Sequence, residues 1–140
     1  MLRSRRRSDA PRGVAAVEFA IILPALVALT LGTMDLCSVI FLREGAMLAA
    51  YEGAREGVQQ DGTNATATAR VTEFLNARGI AHGSGAVAIS NPSYDTAETL
   101  EHITITVTVP TAGNLISPSW LFAGMNVSAS VTMRKEYEND

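Results

Sequence analysis

The sequence predicts an α+β protein: a long N-terminal helix of transmembrane type, followed by a small domain in which one helix packs on a mainly antiparallel three-stranded sheet. Three observations predict it. Val14 to Leu42 is an apolar stretch in which only Glu18 and Asp35 carry charge. Ala67, Val71, Phe74, Leu75 and Arg78 follow helical spacing, and two later stretches alternate apolar residues with Ser, Thr or Asn. At 140 residues, 47% hydrophobic and 18% charged, the chain is long enough for one small core and too apolar for a disordered one.

Residues 1–13 hold five arginines against Asp9 alone, so this leader is +4 and the remaining 127 residues are −7, which gives the net −3. An acidic body argues against a nucleic-acid partner, because only Arg134 and Lys135 adjoin each other there. The uncharged stretch Phe19 to Met34 covers 16 residues, about 24 Å as a helix. Adding Val14 to Val17 and Leu36 to Leu42 brings it to the ~30 Å of bilayer hydrocarbon. A secretory signal peptide has a shorter apolar region. The arginines precede the span and Arg43–Glu44 after it is balanced, so the N terminus is expected in the cytoplasm and everything past Leu42 outside, in the periplasm or at the cell exterior. The chain thus divides into a basic leader, 1–13, a transmembrane and extended helix, 14–60, and an extracytoplasmic α+β domain, 61–140.

Glu18 is the residue a plain anchor does not explain, since a carboxylate at mid-bilayer costs about 2.5–3.5 kcal/mol on insertion scales and less near an end. Cleavage after Gly13 would make Val14 residue one and Glu18 residue five. The new ammonium and the carboxylate would then form an opposite-charge pair, within one helix terminus or between neighbouring helices, and could set the register of helix packing. A helix N-terminus also favours the carboxylate.

Arg12 to Leu26, RGVAAVEFAIILPAL, followed by Ala49 to Gly57, AAYEGAREG, resembles the TadE-like minor pilins, or pseudopilins, of the tight-adherence (Tad) pilus, a branch of the type IV pilus superfamily. The resemblance covers Arg12 to Gly57, and beyond it extends only to architecture. It implies a dedicated prepilin peptidase cutting between Gly13 and Val14, with Glu18 as the superfamily's fifth-residue glutamate. It also implies a place in the bacterial inner membrane, other pilin and minor pilin subunits and the pilus assembly platform as partners, and a role in adhesion or secretion-like machinery. Major pilins of this system commonly carry Tyr after the Glu; Phe19 and the long C-terminal domain favour a minor pilin.

Pro24 removes a backbone donor within the span and predicts a bend, either a harmless kink or a shape for docking beside other helices. Asp35 is expected at the interface on the outer end of the span. Cys37, the single cysteine, is expected as a buried small hydrophobe, with an intermolecular disulfide as the alternative. The helix should continue to about Gln59, presenting Gly45, Ala49, Gly53 and Gly57 as a small-residue ridge with Ala46, Ala50 and Ala54 alongside. Packing on the protein's own sheet is favoured for this ridge over an intersubunit contact. Glu52, Arg55 and Glu56 read as solvated charges.

In the C-terminal part, Thr63 is a plausible N-cap and Gly79 the stop of a helix over about 63–78. Ile103 to Val109 and Met125 to Met133 alternate as half-buried strands, and Ala86 to Ser90 is a weaker one; one face packs on helices and a Ser/Thr face meets solvent. The connection from Pro110 to Gly124 carries Leu115, Ile116, Trp120, Leu121 and Phe122, which predicts a short helix capping the sheet or, alternatively, a membrane-proximal or partner-binding patch at Trp120, Leu121 and Phe122.

No catalytic constellation emerges. His82 and His102 lie in different elements, Gly83-Ser84-Gly85 reads as a turn, and no metal or cofactor signature is present. The glycosylation patterns at Asn64 and Asn126 matter only in a glycosylating host. The expected activity is pilus assembly by a processed minor pilin; the alternative is an uncleaved, signal-anchored envelope protein that holds a partner, and a secreted enzyme is a distant third.

Overall fold

The computed structural model describes residues 12–90, 92–115, 122 and 124–136. Its elements run α1 (Arg12–Gly57), α2 (Asn64–Ala77), β1 (Val87–Ile89), β2 (His102–Pro110) and β3 (Asn126–Arg134). The strands form one antiparallel sheet in the order β1-β2-β3. The fold is therefore the α+β arrangement that the patterning predicts. The chain divides into two compact units, one ending at Thr33 and one starting at Met34, so the second takes in the C-terminal half of α1 together with α2 and the sheet. Most of the leader, residues 1–11, lies outside the described residues, as do 116–121 and 123 of the connection expected to cap the sheet.

In the second unit, α1 ends at Gly57, two residues short of the expected stop, and the chain turns through Asp61, which adopts a positive φ of 63°. Thr63 then caps α2 through a reciprocal box. Its hydroxyl accepts from the Thr66 amide at 3.1 Å, and its own amide donates to Thr66 Oγ1 at 2.9 Å. At the other end Gly79, φ 65°, supplies the left-handed residue of a Schellman stop. Ile80 N donates to Leu75 O at 2.9 Å and Gly79 N to Asn76 O at 3.0 Å, which satisfies two of the last carbonyls.

β2 is buried at every second residue, Ile103, Ile105, Val107 and Val109, because period-two alternation sends one set of side chains to one face. β3 opposes it from His102↔Arg134 to Pro110↔Asn126 and adds Val127 and Ala129 to the core. Met125, expected to begin this strand, precedes it and is exposed. The outer face bears a ladder of hydroxyls. Thr104–Thr132, Thr106–Ser130 and Thr108–Ser128 lie 2.8–2.9 Å apart across the strands, so each pair offsets lost solvation while keeping the face polar.

The inner face meets α1 and α2. Ala46, Ala49, Ala50 and Ala54 on α1 and Ala67, Val71 and Leu75 on α2 are fully buried with the β2 side chains in one core. The helices approach so closely that a Cβ on Gly53 would collide with Val71 Cγ2 and come within 3.1 Å of both Ala67 O and Ile105 Cδ1. At Gly57 the obstacle is the Tyr94 ring, 2.6 Å from the same imagined atom.

Tyr94, from the β1–β2 connection, is fully buried, and its hydroxyl has no hydrogen-bond partner among the described residues. Burial alone pushes its phenol up to about 12. Beside it, Lys135 is almost fully buried and donates from Nζ to Tyr94 O at 2.7 Å and Ala97 O at 3.2 Å. The backbone joins too: Leu100 N donates to Lys135 O and Lys135 N to Glu101 O. The end of the sheet is thereby tied to the loop that holds Tyr94.

Two outcomes are expected. Gly53→Ala inserts a methyl where Val71 and a backbone carbonyl already sit, so urea unfolding of the detergent-solubilised chain should show a loss of about 1–3 kcal/mol. Gly83→Ala, in open space, should stay within about 0.5 kcal/mol. Because the folded state holds the Tyr94 proton more tightly than the unfolded chain, its contribution to stability is level below pH 10 and is lost as pH rises toward about 12. Tyr94→Phe removes the titrating group, so the difference in unfolding free energy between wild type and this variant should be flat to pH 10 and move in favour of the variant above it.

Candidate functional site

In the first unit, α1 exposes apolar side chains all round. Val14, Val17, Phe19 and Ile21 are each more than half exposed, and the apolar window that gives the helix membrane-crossing length and composition has no buried residue. A helix that is hydrophobic on every side and unpacked suits lipid. Its hydroxyls agree with that environment, since Thr30 Oγ1 donates to Leu26 O and Thr33 Oγ1 to Thr30 O, both at 2.8 Å. Each polar hydrogen is thus spent within the helix, as hydrocarbon requires. The helix runs without interruption through Pro24, whose missing amide hydrogen leaves the Ala20 carbonyl without its usual donor.

Gly13 and Val14 lie in the first turn of α1, and a Cβ on Gly13 would meet nothing within 4 Å. Glu18 follows Val14 by four residues, so the two share a helix face, one turn and about 6 Å apart along the axis. Glu18 is exposed, and no ion pair engages it among the described residues. It sits beyond the first turn, past the reach of the helix macrodipole, so the helix terminus contributes little to holding this charge. Phe19 stands beside it, 59% exposed.

In the second unit, α1 has two unlike faces. Gly45, Ala49, Gly53 and Gly57 all lie on the buried side: Gly45 against Ile80, Gly53 against Val71 and Ile105, Gly57 against Tyr94, with Ala49 fully buried between them. Leu36, Ile40, Phe41, Met47, Leu48 and Tyr51 occupy the exposed side. One sequence expectation is corrected here. Cys37 is exposed, because its position falls on that outer side. Asp35, expected at the outer end of the span, is 1% exposed within the chain, and its Oδ1 has no hydrogen-bond partner among the described residues. Glu52 also departs from a purely solvated role: Arg70 of α2 bridges it at 3.2 Å and Glu73 at 3.0 Å, across an open charged groove that Arg55 and Glu56 share.

Trp120 and Leu121 of the expected partner patch lie outside the described residues, and Phe122 is half-buried, its carbonyl accepting from Thr111 Oγ1 at 2.7 Å. His82 Nδ1 is 3.0 Å from Ile80 O, and His102 opens β2 on the exposed face. Among the described residues no group of three or more His, Cys, Asp or Glu converges in the way metal ligands would. Sequence reasoning missed the burial of Lys135, although a signal existed: it continues the inward series Val127, Ala129, Val131, Met133 in phase. Tyr94 offered no comparable signal, since the connection carrying it has no periodicity.

Apart from Leu100 and Met125, every large exposed apolar side chain among the described residues is on α1. Among the described residues one apolar helix has membrane length, carried by a chain that also builds a small α+β unit with a polar outer sheet face, and this combination suits a single-pass membrane-anchored protein. Residues 13–55 match the family model of the TadE-like proteins, so over that segment the chain is similar to them. Residues 56–140 lie outside the match. Comparison with curated proteins and with solved structures finds no match.

Proposed function

We propose that this chain is a minor pilin of a Tad-type pilus. It is inserted in the bacterial inner membrane with its N terminus in the cytoplasm and residues 61–140 outside, and a prepilin peptidase cuts it between Gly13 and Val14. The mature helix then joins other pilin and minor pilin subunits at the assembly platform. The observation that carries this reading is Glu18, an exposed carboxylate and the one charged side chain from Gly13 to Met34, one turn from Val14 and inside the segment that matches the TadE-like family. Within the uncleaved chain Val14 N is an amide and offers no charge. Cleavage turns it into an ammonium, which can neutralise Glu18 of its own or a neighbouring helix where low dielectric makes the attraction strong. Phe19 and the bulk of the helix supply apolar packing around that pair, and Pro24 frees one carbonyl for a neighbour's donor. The function is assembly, which needs complementary surfaces and no reacting group, and no cofactor enters it.

N-terminal sequencing of the membrane-extracted protein tests the maturation step: a chain beginning at Val14 is expected, and one beginning at Met1 or Leu2 would support an uncleaved anchor that binds a partner through its outer domain. Glu18→Gln keeps the shape and removes the charge. It should leave membrane insertion intact while lowering pilus formation and co-purification with sister subunits by about tenfold or more, the order expected when one partner of a poorly solvated ion pair is lost. Unchanged assembly in that variant would overturn the proposal.

A further inference from the structure

The outer side of α1 in the second unit contains its own complement. Leu36, Ile40, Met47 and Tyr51 are each about half exposed (51, 50, 48 and 49%), Leu48 is 43% exposed and Cys37 is exposed. Eleven residues make three helical turns to within about 20°. Leu36 and Met47, Cys37 and Leu48, and Ile40 and Tyr51 are therefore apolar pairs at matching angles, each eleven residues apart. The same step carries Glu44 to Arg55, both exposed and neither in an ion pair among the described residues. Three apolar positions thus repeat as apolar and Glu44 repeats with its sign reversed, whereas exposed Phe41 and Arg43, at the two edges of the stripe, step onto Glu52 and the buried Ala54.

A parallel pair of these helices in register would set Glu44 against Glu44 and Arg55 against Arg55 along an otherwise apolar seam, a like-charge arrangement that opposes association. Displacement by eleven residues, about 16 Å along the axis, sets apolar against apolar and Glu44 against Arg55. An antiparallel pair would also match the charges, but it would send the two N-terminal apolar segments in opposite directions, which two chains inserted alike in one membrane do not allow. We infer that this stripe binds a second copy of the chain, parallel and shifted by eleven residues, with Glu44 of one copy paired to Arg55 of the other. The inference rests on the minor-pilin reading for the shared orientation and names a partner for it. A shift of that size along the outer side of the helix suits a copy drawn outward past its neighbour and disfavours lateral pairing at equal depth.

Disulfide trapping tests it on the full chain in detergent, where the helices slide freely. In a Cys37→Ser background, one chain carries Ile40→Cys and a size-tagged second chain carries Tyr51→Cys, both positions lying on the seam and leaving Glu44 and Arg55 in place. Oxidation should give the 40–51 product at least about fivefold above the 40–40 and 51–51 products. Adding Glu44→Arg to both chains should cut it by about fivefold, and Glu44→Arg with Arg55→Glu should restore it. Dominant 40–40 product, indicating an in-register pair, would overturn the inference, as would no cross-link or insensitivity to the charge reversal. The N terminus is sequenced on the same sample. A start at Val14 without the 40–51 product sinks the pairing alone, whereas a start at Met1 counts against the maturation reading and leaves the cross-link result to decide the pairing.

Discussion

The close approach of α1 to its own domain is the constraint on which the second unit depends. Gly45, Gly53 and Gly57 weaken a free helix by about 1 kcal/mol each relative to alanine, so this segment is a poor helix on its own account. It persists because each missing side chain is replaced by a neighbour: Ile80 over Gly45, Val71 and Ile105 over Gly53, the Tyr94 ring over Gly57. Ala46, Ala49, Ala50 and Ala54 fill the spaces between with the smallest side chain that still favours a helix. Tertiary burial holds the segment helical, as it does for most helices in water. The cost is specificity of size, since a larger residue at those positions meets Ile80, Val71 and Ile105, or the Tyr94 ring, and one of them must shift.

Charges in apolar surroundings are handled in three different ways along the chain. Lys135 is buried and gives two of its hydrogens to backbone carbonyls, which satisfies the ammonium while fixing the Tyr94 loop. Asp35 is buried with one oxygen unpartnered among the described residues, an arrangement that carries a desolvation penalty. Glu18 is exposed on a helix whose surroundings, in a membrane, are hydrocarbon, so its penalty is deferred until a cation arrives. Under the proposed maturation, that cation appears only once the leader is removed, and the cut therefore changes the electrostatics of the helix as well as its length.

Periodicity explains what was legible from the sequence. β2 alternates cleanly between Ile or Val and Thr, and α2 is bounded by Thr63 and Gly79, so their existence and direction follow from side-chain spacing and cap chemistry. The buried side of α1 was readable because glycine and alanine recur every fourth residue. Cys37 was misjudged, and the burial of Asp35 was not foreseen, for a common reason. Burial here depends on which arc of α1 the domain covers, and an apolar run that reads alike on all sides carries no mark of that arc. Tyr94 and the Arg70 bridge to Glu52 join segments far apart in the chain, and such pairings leave no local trace.

The distribution of surface chemistry bears on how a protein of this kind can act. The outer sheet face satisfies its own hydroxyls in cross-strand pairs, and the helix ends are capped by local groups, so these parts of the described domain have little unmet bonding capacity. Exposed large apolar surface is concentrated on α1, before Thr33 and after it. Before Thr33 a bilayer removes that surface from water. Past Leu42, the side chains of Met47, Leu48 and Tyr51 meet water in a lone chain, and transferring them to another apolar surface gains about 25 cal/mol per Å² buried. Non-directional attraction of that sort gives affinity without register. Register needs charges placed within or beside the apolar band, and in the second unit the band from Leu36 to Arg55 is broken centrally by Glu44, with Arg43 at its edge, and closed by Arg55. The same helix can therefore hold a domain on one side by shape and select a neighbour on the other by charge.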